Sequence, residues 1–341
     1  HHSAKFYLKF CIHSKRKFMR KIILGRTCAE VSAISLGTWS YGGANKSGKL
    51  PVGWAGQTDD DSKLALKRAW ELGINHWDTA DVYGNGRSEQ MIGSMWESIP
   101  RKDIFIATKV GWDRGHQKHW YNIDVMRQNM ERSLINLKTD CVDLMYLHHC
   151  NFGENEEYFD EAIEVIRKFK EEGKTRFVGL SDWSSKKIMQ FIERCDPDVV
   201  QPLRNVMDDT YKSSGLKNYV DDHNLGICFF SPIKHGLLTG KYTKPAQFED
   251  GDFRSHEKAF SDIEFLQKMR DNKTLLEDRF ADRPNPVMYG VVGALFSDSL
   301  TGCALLGQRN AAQVEIAATL GDLLSNEDTE WVKTLYASHK Y

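Results

Sequence analysis

Ile74-Asn75-His76-Trp77-Asp78, Ile104-Phe105-Ile106-Ala107-Thr108-Lys109 and Val142-Asp143-Leu144-Met145-Tyr146-Leu147-His148 decide the fold of this 341-residue chain. Each is a short apolar run ended by a polar residue, and Tyr83 follows just beyond the first. Apolar runs of this length, without helical spacing, read as strands buried on both faces, as in parallel sheets. In a closed β/α barrel the C-terminal strand ends form one mouth. Asp78, Tyr83, Lys109 and His148 would then converge, although they are far apart in sequence.

The pattern continues outward from these runs. A hairpin-like opening occupies residues 21–32, and strands are predicted at 33–36, 74–77, 104–108, 142–147, 177–180, 199–201, 226–230 and 302–306. Helical stretches alternate with them near 59–72, 88–98, 124–138, 156–172, 184–195, 212–223, 286–297 and 310–320. Eight strands alternating with eight helices predict an α/β fold, a closed (β/α)8 TIM barrel rather than an open sheet. Local punctuation agrees: Ser184 and Asp124 stand near helix starts, and Gly73 and Gly173 follow helix ends. Residues 234–261 and 326–341 exceed the simple repeat; the first is read as a polar loop forming a cover and the second as a helix on the barrel exterior, and extra helices are expected after the seventh strand and at the C-terminus.

Composition sets the class of partner. Apolar residues make up 41% of the chain, enough for a large core, and 46 basic against 47 acidic residues leave a net charge of -1. No basic patch marks a nucleic-acid partner, and no apolar run approaches a membrane span, so the expected partners are small molecules. The seven cysteines show no C-x-x-C pair and no metal-ligand spacing, which predicts reduced thiols, a cytoplasmic protein and no metal site. Residues 1–18 are compositionally unlike the rest and read as a tag or other non-native extension, with 19–341 a single barrel domain beginning at Met19. The segment from Gly43 to Lys49 nearly matches a phosphate-binding loop. Leu50 stands where the magnesium-holding hydroxyl belongs and Pro51 where a helix should run, so it is read as a mobile loop.

A tyrosine beside a lysine, a carboxylate and a histidine suits protonation of a carbonyl oxygen while hydride arrives at its carbon. A phenol of ordinary pKa about 10 is a weak acid near neutrality, and a neighbouring ammonium stabilises its phenolate. Asp78 would hold Lys109 charged, Lys109 would tune Tyr83, and His148 would orient the substrate oxygen. His149 beside His148 does not signal a metal pair, because adjacent strand residues point to opposite faces.

The segments that carry a family likeness are Leu24 to Ser32, Asp78-Thr79-Ala80-Asp81-Val82-Tyr83-Gly84, Arg87-Ser88-Glu89, Ile106 to Lys109, Asp143 to His148, Val178-Gly179-Leu180-Ser181, Phe230-Ser231-Pro232 and Gly236 to Tyr242. In this order and at barrel spacing, the chain from about Met19 to Leu320 resembles the aldo-keto reductase superfamily. The resemblance implies NADP(H)-dependent transfer of hydride between nicotinamide and a carbonyl or alcohol, with NADPH favoured over NADH. It implies Asp78, Tyr83, Lys109 and His148 as catalytic residues. For the cofactor it implies Gly37, Thr38, Trp39 and Asp78, then Ser181, Asp182 and Gln201 at the carboxamide, and Phe230 stacked on the nicotinamide. Ser231, Pro232, Ile233, Gly236, Leu237 and Lys241 would meet the pyrophosphate under a cover formed by residues 234–261. Gly307, Gln308, Arg309 and Gln313 would face the adenosine, where Arg309 would pair with a 2′-phosphate. Trp39, Trp54, Trp112, Tyr83 and His148 are the expected substrate wall, for an aldehyde, ketone or aldose. Asp182 replaces the family's usual asparagine, and Ile316 and Ala317 replace a Glu-Asn pair beside the adenine. The alternative implied is a nucleotide-binding regulatory subunit resembling the potassium-channel β subunits, with little turnover.

Overall fold

The computed structural model describes residues 19–337; the reading of 1–18 as an extension lies outside them. A hairpin, β1 (Lys21–Ile23) with β2 (Glu30–Ser32), opens the chain. The first barrel strand is β3 (Ile34–Gly37). A small hairpin, β4 (Lys46–Ser47) with β5 (Leu50–Pro51), follows it where the sequence suggested a mobile loop. The remaining barrel strands are β6 (His76–Asp78), β7 (Phe105–Val110), β8 (Val142–Leu147), β9 (Thr175–Asp182), β10 (Val199–Pro202), β11 (Gly226–Phe229) and β12 (Gly302–Gly307). All eight pair in parallel, and β12 closes the barrel against β3 with Gly307 opposite Gly37. The predicted (β/α)8 barrel is the observed fold.

Helices α1 (Asp59–Glu71), α2 (Arg87–Gly93), α3 (Ile123–Leu137), α4 (Phe159–Glu171) and α5 (Ser185–Cys195) follow the earlier strands. Their starts are chemically specified: Thr58, Asn122 and Ser184 each accept a backbone N–H of the first turn, which satisfies donors the helix leaves unpaired. Asn122, not Asp124, is the cap of α3. The stretch predicted at 212–223 is two short helices, α6 (Thr210–Ser213) and α7 (Leu216–Asp222), divided at Gly215 with φ 86°. The long helix α8 (Ile263–Arg279) precedes α9 (Pro286–Gly293) and α10 (Ala311–Ala317). The C-terminal α11 (Asn326–Ala337) packs on α8 and α9. Extra helices therefore stand after the seventh barrel strand and at the C-terminus, as expected.

The lower end of the barrel is covered by the opening hairpin. Arg26 N donates to Asn224 O at 2.5 Å, and a Cβ on Gly25 would lie 2.2 Å from Gly226 N, so backbone touches backbone there. The opposite end, where strands finish, carries the polar side chains. No helix among the described residues is long and apolar enough to cross a membrane.

Candidate active site

Asp78 ends β6 and Lys109 lies near the end of β7, two positions past Ala107, its registered partner. Alternation along a strand therefore turns both side chains into the barrel. Lys109 Nζ donates to Asp78 Oδ1, to Thr79 O at 2.8 Å and to Tyr83 Oη at 3.4 Å. Both members of the Asp78–Lys109 pair are 1% exposed, so neither charge is compensated by water. The other carboxylate oxygen, Asp78 Oδ2, accepts from Gln201 Nε2 at 2.9 Å.

Tyr83 is set by the turn between β6 and α2. The turn passes through left-handed Gly84, Asn85 and Gly86 before α2 begins at Arg87. A Cβ on Gly84 would stand 2.3 Å from Gly42 O, so the two loops touch through backbone alone. Buried hydroxyls pin the same turn: Ser88 Oγ donates to Thr38 O at 2.8 Å, and Thr79 Oγ1 lies 2.9 Å from Ser88 Oγ. Glu89, also buried, accepts from Thr108 Oγ1 at 2.7 Å and Asn136 Nδ2 at 3.1 Å.

Burial raises the Tyr83 phenol above its ordinary value, and Lys109 opposes this without overcoming it. Lys109 suffers the same desolvation, but Asp78 and then Tyr83 hold its ammonium above the usual range. His148 follows β8 and meets the Tyr83 ring edge-on with centroids 6.0 Å apart. Burial, then Lys109 and His149, hold its imidazole neutral, far below the usual histidine range. Its Nδ1 is buried without a partner. A phenol donor, a fixed ammonium and a neutral imidazole can together deliver a proton to a carbonyl oxygen and stabilise the anion left behind.

The remaining predicted residues divide into two groups. Phe230 keeps part of its ring exposed and packs edge-on against Trp183 at 4.9 Å. Ser231, Lys234, His235 and Gly236 carry positive φ, a conformation that gathers backbone N–H groups into an anion-binding concavity, and Lys241 Nζ would lie 3.0 Å from a Cβ placed on Gly236. Gly37 and Gly307 are registered partners at the barrel seam, and a Cβ on Gly307 would meet nothing within 4 Å. These features fit a nicotinamide nucleotide bound at the mouth.

Others are already engaged. Asp182 accepts from Cys150 N at 2.8 Å and Ser184 N at 2.7 Å, so its carboxylate ties the β8 exit to the start of α5. Ser181 Oγ donates to Gln201 O at 2.8 Å, and Thr38 Oγ1 donates to Asp78 O at 2.8 Å. Leu237 is fully buried in the core and Pro232 is buried beside the site, while Ile233 stays half-buried. Gln308 is turned inward, donating to Ser35 O at 3.3 Å. Gln313 Oε1 accepts from Arg309 N at 2.9 Å, and Asn310 caps α10. Arg309 donates to Ala55 O at 2.7 Å and Gln57 Oε1 at 3.1 Å.

Two aromatic walls flank Tyr83. Trp39 stacks beside it at 6.2 Å and contacts Trp54, His235 and Phe253, at 5.6, 6.1 and 5.1 Å. On the other side Trp112 lies 6.2 Å from His148 and 5.4 Å from Trp120. His235 and Phe253 fall within the stretch expected as a cover, but the sequence singled out neither, because only tertiary contact brings their rings to Trp39. Residues 43–57 and 249–256 join above the barrel: Gly53 and Asp252 bridge, and Ala55 N donates to buried Asp252 Oδ2 at 2.9 Å. Part of the stretch expected as a cover is thus joined to a second loop, and the two form an arch.

The model of the Aldo/keto reductase family matches residues 33–315. Aldo-keto reductase YhdN of Bacillus subtilis is 28% identical over 91% of each chain. L-galactose dehydrogenase of Arabidopsis thaliana is 30% identical, over 63% of this chain and 66% of its own. The glycerol dehydrogenase AKR11B4 structure from Gluconobacter oxydans superposes with a TM-score of 0.77 at 27% identity, covering 94% of this chain and 95% of that one. With the barrel, the family match and these relatives in agreement, the chain belongs to the aldo-keto reductases, oxidoreductases that use nicotinamide cofactors.

Proposed function

We propose that the protein is an NADP(H)-dependent oxidoreductase acting on the carbonyl or alcohol group of a small aldehyde, ketone or aldose, with Tyr83 as the proton donor and acceptor. The observation that carries this is the buried chain from Asp78 through Lys109 Nζ to Tyr83 Oη at 3.4 Å. When bound, the nicotinamide supplies or accepts the hydride. In the direction of reduction, Tyr83 gives its proton to the carbonyl oxygen and Lys109 stabilises the phenolate left behind. Asp78 and Thr79 O fix the ammonium so that it does not reorganise during the step. Neutral His148 donates a hydrogen bond to the substrate oxygen.

Two relatives are named for hydroxyl-rich compounds, L-galactose and glycerol. The aromatic walls beside Tyr83 suit such substrates, because ring faces cover C–H surfaces while hydroxyls remain free to hydrogen-bond. NADPH is favoured over NADH through Arg309, which would exchange its bonds to Ala55 and Gln57 for a 2′-phosphate.

Replacing Tyr83 with Phe tests the reading. The variant is expected to lose turnover by about 10² to 10⁴-fold. NADPH should still quench its tryptophan fluorescence as in the parent. Retained turnover would sink the assignment of the acid. Tight nucleotide binding with negligible turnover in the parent, on every carbonyl tried, would favour the regulatory-subunit alternative.

A further inference from the structure

The barrel interior holds a second polar cluster that the hydride-transfer chemistry does not use. His76 lies two positions before Asp78 on β6, on the same face of the strand and one layer deeper. Cys228 on β11 and Cys303 on β12 are direct partners in the parallel ladder. All three side chains are fully buried, and their ligand atoms lie within 4.8 Å of one another. We propose that His76, Cys228 and Cys303 bind one soft divalent cation of the zinc or cadmium type inside the barrel, beneath the Asp78–Lys109 pair.

Geometry supports the site. Cys303 Sγ stands 3.4 Å from His76 Nδ1. A tetrahedral zinc with bonds of ~2.3 Å to sulfur and ~2.0 Å to nitrogen separates those two ligands by ~3.5 Å, so little movement is needed. Three protein ligands leave one position open. The donor set is two thiolates and an imidazole with no carboxylate, which selects zinc-like metals over magnesium or calcium.

Charge balance favours a divalent ion. Binding forms two metal–sulfur bonds and one metal–nitrogen bond and releases two thiol protons to solvent, with no electron transferred. The resulting assembly is neutral, so its burial does not leave an isolated charge in the barrel. An apolar core would be the simpler use of these positions. Yet His76 is fully buried with its Nδ1 meeting only the Cys303 thiol, an arrangement that costs stability where a leucine would cost none. The ligands come from three strands distant in sequence, which is why cysteine spacing alone predicted no metal.

The test uses the full chain, with accessible thiols first alkylated under native conditions, and Cd²⁺ alone as the probe. Because the site is enclosed, the ion is offered both to the folded protein and during refolding. The expected result is a cadmium–thiolate charge-transfer band in the ultraviolet by at least one route, saturating near one ion per chain with release of two protons. In the Cys228→Ser/Cys303→Ser variant the band should be lost, while Cys28→Ser, at an exposed position, should keep it. No band in the alkylated parent by either route overturns the site, whether or not the double variant folds. An undiminished band in a folded double variant overturns it equally.

Discussion

Burial raises the Tyr83 phenol above its ordinary value of 10 while Lys109, 3.4 Å away, draws it back. The phenol therefore stays protonated through neutral pH, the form that carbonyl reduction needs. Alcohol oxidation needs the phenolate. Reduction rates are expected to stay nearly flat from pH 6 to 8, with no histidine limb, because His148 is held neutral across that range. Oxidation should rise steadily with pH. Initial rates in both directions check this, and a reduction rate that halves near pH 6.5 would show that His148 titrates and contradict it. The four residues at the mouth were legible in the sequence because each ends or follows an apolar run. Their second contacts were not. Gln201 reaches Asp78 from β10, Asp182 spends its carboxylate on two backbone amides, and Gln308 turns inward. No local pattern announces which of several acceptors a side-chain amide or carboxylate will find.

Between elements, the contact of Gly42 with Gly84 fixes how closely the loop after β3 approaches the turn that carries Tyr83. Gly84→Ala would place a methyl group 2.3 Å from Gly42 O at a φ of +61°, so the turn must move. A displacement near 1 Å at the reacting group costs on the order of 100-fold in kcat. Gly173→Ala carries similar backbone strain, at φ +74°, with nothing within 4 Å, and is expected to leave kcat unchanged. Comparing kcat and nucleotide quenching for both variants separates displacement from strain, and equal kcat in the two would refute the positioning role. Strands were readable to within a few residues because parallel strands buried on both faces are continuous apolar runs. Helix α8 had no predicted bounds because it mixes Lys268, Asp271, Lys273 and Glu277 with few core residues and packs against other helices rather than the barrel. Gly215 divided what periodicity joined at 212–223.

For the whole molecule, acid is the predicted weakness. Burial lowers His149 and His235 to about 4 from the ordinary 6.5. Between those limits the unfolded chain binds protons that the folded chain refuses, so these two sites lower stability as pH drops from 6.5 to 4 and add no further loss below. Each site contributes up to about 3 kcal/mol to that loss. Urea unfolding at pH 4.5, 5.5, 6.5 and 7.5 should show the decline, and His149→Gln should flatten it measurably; an unchanged slope would remove His149 as a cause. Closure of the sheet was legible at this scale from eight alternations, whereas the arch over the mouth was not, since Gly53 and Asp252 meet only once the barrel exists.

The pairing of β3 with β12 also bears on how the chain is made. The first barrel strand cannot find its second neighbour until residues 302–307 have left the ribosome. Until then a nascent sheet with two unpaired parallel edges, at Ile34–Gly37 on one side and the latest finished strand on the other, must be kept from pairing with other chains. An unfinished sheet of this kind therefore stays open to pairing with other chains for as long as its synthesis takes.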